Sequence, residues 1–155
     1  MQLKIQYLDN YDQTWGELVY KHADDSGFDL RAAIKTDLVL KPGRRALIPN
    51  GVRFELCPEQ EETNAWEIQT RPRSGLAVKN GISIVNAPGT IDFGYRGEVM
   101  TILINLGQED FVIHPGDRIA QAVVCPIMRP KLVSVETVDE QTTRADGGFG
   151  STGKK

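Results

Sequence analysis

Cysteine is scarce in this chain, and so is histidine. Cys57 and Cys125 lie far apart with no metal-ligand spacing around them. They read as reduced, packed thiols, which excludes a disulfide framework and a zinc site. His22 and His114 likewise have no partner at zinc-binding spacing. No sign of charge dominates: 18 Lys and Arg against 21 Asp and Glu leave a net charge of −3. That balance argues against a general nucleic-acid or membrane-surface binder, although local basic residues can still serve one anionic ligand. No apolar run approaches membrane length, and the opening MQLKIQ lacks a secretory h-region. The expected setting is the cytoplasm (nucleus or organelle in a eukaryote), with neither membrane nor nucleic acid as partner. Sustained 3.6-residue apolar periodicity is also missing, so helices should be few.

What the chain has is punctuation. Turn signals recur at Pro42-Gly43, Pro49-Asn50-Gly51, Asn80-Gly81, Pro88-Gly89, Gly94, Gly107 and Pro115-Gly116. Between them stand short apolar or alternating runs at 38–40, 46–48, 52–56, 99–106, 119–124 and 132–135. Short strands at this spacing predict an all-β sandwich or barrel in one domain. Residues 59–64 read as a polar loop. One helical turn is expected at 74–81, with Ser74 as N-cap and Gly81 closing it. It follows Arg71-Pro72-Arg73, so it offers either an anion site or simply a capped turn with two surface arginines.

Four segments carry residue types suited to chemistry. A hairpin over 86–99 places Gly89, Gly94 and Gly97 where backbone can approach a ligand. Asp92 within it suits a general base or a structural ion pair, with partial burial and Arg96 contending over its pKa. Asp24, Asp25 and Asp29 can hold a hard cation such as Mg²⁺, or form a turn leading into a strand. Gln121, polar among apolar neighbours, requires a partner from backbone or ligand. The last fourteen residues, TTRADGGFGSTGKK, form a glycine-rich end carrying Arg144, Phe149, Ser151 and Thr152. Such an end is either a solvated tail or a flap that folds over a phosphorylated ligand, and Phe149 favours the flap.

Taken in order, residues 25–32 (DSGFDLRA), 71–77 (RPRSGLA), 89–99 (GTIDFGYRGEV), 116–121 (GDRIAQ) and 144–153 (RADGGFGSTG) resemble the five motifs of the trimeric dUTPases. The likeness runs from about residue 23 to the C-terminus. It implies a β jelly roll assembled as a homotrimer, with active sites at subunit interfaces. It implies hydrolysis of dUTP to dUMP and pyrophosphate, which limits uracil entry into DNA and supplies dUMP for thymidylate synthesis. Under the resemblance Asp92 activates the attacking water, and Mg²⁺ bridges the phosphates with Asp29 reaching it through water. Arg73, Ser74, Gly75 and Gln121 would hold phosphate oxygens. Asn86 and the backbone of Gly89, Thr90 and Ile91 would read the uracil, and Tyr95 would pack beneath the deoxyribose. Residues 142–155 would form a lid on the domain spanning 1–141, with Phe149 over the base, Arg144 at the γ-phosphate and Gly150, Ser151 and Thr152 along the phosphate chain. Ala145 stands where many members have glycine.

Two alternatives share this scaffold. A dCTP deaminase or its bifunctional relative generally uses a different acidic residue and lacks the GGFGST tail. A non-catalytic dUTP-binding regulator would have lost Asp92 or the tail. Both are present here, and they favour plain dUTP hydrolysis.

Overall fold

The computed structural model describes residues 1–58, 66–139 and Thr142. The polar loop at 59–64 and nearly all of the proposed 142–155 lid lie outside them. Eleven strands are present among the described residues: β1 Gln2–Tyr7, β2 Phe28–Arg31, β3 Leu38–Leu40, β4 Arg45–Pro49, β5 Val52–Cys57, β6 Trp66–Arg71, β7 Ile82–Ile84, β8 Gly89–Asp92, β9 Met100–Asn105, β10 Phe111–Ile113 and β11 Arg118–Pro126. A 3-10 turn at Gln13–Trp15 and one helix, α1 Ser74–Asn80, complete the regular structure of the described residues. No helix is long and apolar enough to cross a membrane among these residues.

Alternation explains the strands. In β5, Val52, Phe54 and Leu56 are buried while Arg53 faces solvent, and in β9 Thr101, Leu103 and Asn105 point inward. Period-two patterning of this kind buries one face of a strand and leaves the other free. Among the described residues every pairing is antiparallel, in four small sheets ordered β2-β11-β6-β8, β4-β9-β7, β1-β5 and β10-β3. Their inner faces wrap one core, in which Leu30, Ile48, Ile68, Leu103, Ile113 and Ile119 are almost wholly buried. Each such side chain contributes roughly 1.5–3 kcal/mol of burial free energy.

Two buried asparagines pin loops to this core. Asn50 donates from Nδ2 to the Arg31 carbonyl (2.8 Å) and accepts from the Thr101 hydroxyl (2.9 Å). Asn105 donates to the carbonyls of Leu40 and Glu109, each at 2.8 Å, and accepts from the Gly107 amide at 2.8 Å. Their polar atoms are therefore paired, which a buried amide requires.

The structure departs from the sequence expectations at three places. Residues 132–135 form no strand, and Leu132 is 91% exposed. Their composition suits a strand, but no described strand of the chain pairs with them, and an isolated strand does not hold. The segment 86–99 is not a closed hairpin either. β8 pairs with β6, whereas β9 lies in another sheet between β4 and β7. The intervening chain crosses between the two sheets and docks where Val99 N–H donates to the Val52 carbonyl (2.9 Å). Finally, Arg73, not Ser74, is the N-cap of α1, and it makes no side-chain capping bond. Ser74 is the first helical residue. Gly81 closes the helix with a left-handed φ of 69°, as expected.

Candidate active site

Three strands and one helix start bring the first group of residues together. Asp29 of β2 lies opposite Gln121 of β11, and Gln121 lies opposite Arg71 of β6. Arg73 follows β6 by two residues. Its Nε pairs with Asp29 Oδ1 at 2.9 Å, and its Nη1 donates to the Arg118 carbonyl at 2.7 Å. Arg118 Nη1 binds the other carboxylate oxygen of Asp29 at 3.2 Å. These ion pairs are partly exposed, so each is worth about 1 kcal/mol or less to stability. Their consequence is geometric: one carboxylate holds two guanidinium groups at the mouth of a cleft.

The cleft has a volume of about 300 Å³ and is lined by Lys21, His22, Asp29, Arg73, Arg118 and Gln121 among others. Cations outnumber carboxylates along it, which favours an anionic ligand. Gln121 Nε2 donates to the Pro72 carbonyl at 2.9 Å, which supplies the backbone partner its position demanded. Ser74 and Gly75 are exposed in the adjoining first turn of α1, where amide donors have no intrahelical acceptor.

Of the three clustered aspartates, Asp25 serves the turn. Asp25 accepts the His22 amide on Oδ2 at 2.9 Å, closing a turn before β2. No group of three His, Cys, Asp or Glu side chains converges as a metal site among the described residues. Because both oxygens of Asp29 are engaged by arginines, the residues do not fit a carboxylate cage. They do fit a Mg²⁺ that arrives on phosphates and meets Asp29 through its water shell, the usual way this ion is held.

The second group sits on and after β8. Gly89, Thr90, Ile91 and Asp92 lie opposite Thr70, Gln69, Ile68 and Glu67 of β6. Gly89 is buried, and a Cβ on it would overlap the Thr70 hydroxyl. Its missing side chain thus serves packing between two strands of the same chain. Asn86 and Thr90 are exposed, Ile91 is half-buried, and Tyr95 is 46% exposed. The partial burial expected of Asp92, and its pairing with Arg96, are not found. Asp92 is exposed, and Arg96 donates instead to the carbonyls of Phe93 (2.8 Å) and Tyr95 (2.9 Å). Gly97 lies beneath the Tyr95 ring, so it too is demanded by the chain itself.

The two groups are apart within one chain. Counting the register, Asp92 lies two strand spacings and four residues from Gln121, about 17 Å between Cα atoms. The third expected group, Arg144, Phe149, Gly150, Ser151 and Thr152, lies outside the described residues.

Sequence reasoning missed Arg118 and Lys21. Strict alternation would set Arg118 and Gln121 on opposite faces, but a register shift between Arg118 and Ala120 brings both to the cleft. The sequence carries no signal for that bulge.

A family model described as dUTPase matches residues 14–153. The chain is 52% identical over 136 residues to a deoxyuridine 5′-triphosphate nucleotidohydrolase of Brucella melitensis, covering 86% of this chain and 82% of that one. It is 47% identical over 161 residues to the protein of the same description from Bartonella henselae, covering 99% and 84%. Among solved structures it resembles the Staphylococcus bacteriophage 80alpha dUTPase with dUPNHPP, with a TM-score of 0.77 at 27% identity over 98% of each chain. The dUTPase of S. aureus phage phi11, described with a structural Mg(II) ion, shares the fold with a TM-score of 0.72 at 24% identity, over 88% of this chain and 98% of that one. The chain belongs to the dUTPase family.

Proposed function

We propose that this chain hydrolyses dUTP to dUMP and pyrophosphate, at sites completed between subunits of a homotrimer. The observation that carries the reading is the cleft where Arg73, Arg118 and Gln121 converge around Asp29, in a chain of this family. A triphosphate needs fixed cations and amide donors more than it needs covalent help, because phosphoryl transfer is mainly positioning and charge neutralisation. Arg73, Gln121 and the first-turn amides of Ser74 and Gly75 hold the phosphate chain. Asp29 would hold Mg²⁺ through its water shell, and the ion would supply further charge neutralisation at the phosphates.

Asp92 takes a proton from a water whose oxygen attacks the α-phosphorus. The bond from that phosphorus to the bridging oxygen breaks, and pyrophosphate leaves. The backbone at Gly89, Thr90 and Ile91 reads the uracil edge with Asn86, so that cytosine meets mismatched donors and acceptors. Tyr95 packs beneath the deoxyribose. Arg144, Phe149, Gly150, Ser151 and Thr152 close the site from the tail.

Asp92 and Gln121 must flank the same α-phosphate, yet about 17 Å separates them in one chain by strand spacing. Two subunits remove the conflict. Exposed apolar side chains at Leu47, Val85 and Met100 on the outer face of β4-β9-β7, and at Met128, Leu132, Val133 and Val135 beyond β11, support such an assembly. The free thiols Cys57 and Cys125 suit a reducing compartment such as the cytoplasm. The test is direct: the purified protein with Mg²⁺ should release one pyrophosphate and one dUMP per dUTP, and no ammonia from dCTP. Ammonia release would support the deaminase reading. Tight dUTP binding without turnover would support a regulator.

A further inference from the structure

The turn that follows Asp92 is held by contacts that the reaction above does not use. Tyr95 N–H donates to the Asp92 carbonyl at 2.9 Å, and Arg96 binds two carbonyls of the same turn. The Tyr95 hydroxyl donates to the main-chain carbonyl of Glu98 at 3.0 Å. These bonds stiffen the turn within itself. Its ties to the body are the Phe93 ring against the core, main-chain bonds at Val99, and the Glu98 side chain.

Glu98 is the unusual member. One carboxylate oxygen, Oε1, accepts from the Gly51 amide at 3.0 Å and from Asn10 Nδ2 at 2.8 Å. Gly51 is buried with a left-handed φ of 68° between β4 and β5, and its carbonyl accepts the Leu8 amide at 2.8 Å. Three segments distant in sequence therefore meet at one oxygen. Hydrogen bonds to an ionised acceptor are the strong kind, and without Glu98 the buried Gly51 donor loses its partner. The same residue thus fixes the body with its side chain and orients the Tyr95 phenol with its backbone.

We propose that Glu98 is a positioning residue for sugar discrimination. It holds the oxygen that orients Tyr95, and so sets how firmly a 2′-hydroxyl is refused. The proposal rests on the placement of Tyr95 beneath the deoxyribose given above. Glutamine keeps an oxygen that can accept both bonds, whereas alanine removes it, so the two variants separate geometry from charge.

The experiment measures kcat/KM for dUTP and for UTP in wild type, Glu98→Ala and Glu98→Gln, with thermal melting of each. In Glu98→Ala the dUTP-to-UTP ratio should fall about tenfold, the loss of roughly one well-made charged hydrogen bond, mainly through a higher KM for dUTP. Glu98→Gln should stay within about twofold of wild type. An unchanged ratio in folded Glu98→Ala, or an equal loss in Glu98→Gln, would overturn the assignment. Should Glu98→Ala fail to fold, Asn10→Ala removes one of the two donors, and a partial fall in the ratio is expected. An unchanged ratio there would overturn the assignment too. A wild-type protein inert to both nucleotides sinks the dUTP reading itself, whereas an active wild type with an indifferent Glu98 sinks this inference alone.

Discussion

Replacing Gly89 by alanine should damage stability and catalysis together, through one atom. The backbone there is not left-handed, so an L-residue meets no conformational penalty and the whole cost is steric. A Cβ would overlap the Thr70 hydroxyl and come within 3.2 Å of Asn86 Nδ2. Thr70 is 4% exposed and has no solvent to swing into. Overpacking of this kind costs about 1–3 kcal/mol. For a domain of this size that lowers Tm by roughly 3–10 °C. β8 has only four residues, and Asp92 is its last. Relieving the overlap shifts that carboxylate, and since a 1 Å misplacement can cost about 100-fold, kcat/KM should fall at least about tenfold. Calorimetry and pyrophosphate release measure the two effects. Adding Thr70→Ala removes the colliding hydroxyl, so the double variant should melt above Gly89→Ala, with a coupling of about 1 kcal/mol or more. An unchanged Tm in Gly89→Ala, or no recovery in the double variant, would refute the packing argument.

Arg118→Ala should raise KM for dUTP about tenfold, the order expected for losing one charged hydrogen bond. Stability should change by less than about 1 kcal/mol, because the Asp29 pair is partly exposed. Steady-state kinetics and melting of the same preparation separate the two. His114 Nδ1 lies 2.9 Å from Asp37 Oδ1, and the hydrogen bond and charge of that carboxylate raise the imidazole pKa above its ordinary value. A raised folded pKa contributes stability that is full below the unfolded value and fades as pH climbs through the folded one. His114→Asn should therefore lower Tm more at pH 5.5 than at pH 8.5. An equal or reversed difference would remove the pair from the stability account.

Much of this architecture was legible, and its failures have physical causes. Runs 38–40, 46–48, 52–56, 99–106 and 119–124 became β3, β4, β5, β9 and β11 because turn residues bounded them and one face was apolar. β1 and β6 alternate just as cleanly, as QLKIQY and WEIQTR, but no Gly or Pro turn introduces either, and both went unread. Residues 132–135 show the converse, since strand composition cannot supply a pairing partner. At the site, Asp29, Arg73 and Gln121 were legible as types and do meet. Arg118 was hidden by a bulge, and Glu98 by hydrogen bonds to Asn10 and Gly51, whose spacing no local pattern encodes.

The central claim is that Asp92 of one subunit works with Arg73 and Gln121 of another. Subunit complementation tests it most directly. Asp92→Asn and Arg73→Ala are each expected to be nearly inactive as pure assemblies. Co-expressed in equal amounts, they should form mixed trimers in which about one site in four draws wild-type residues from both chains. Recovery of about a quarter of wild-type dUTP turnover is the expected result. If both groups served the same site from one chain, every subunit would carry a defect, and mixtures no more active than the parents would contradict the account.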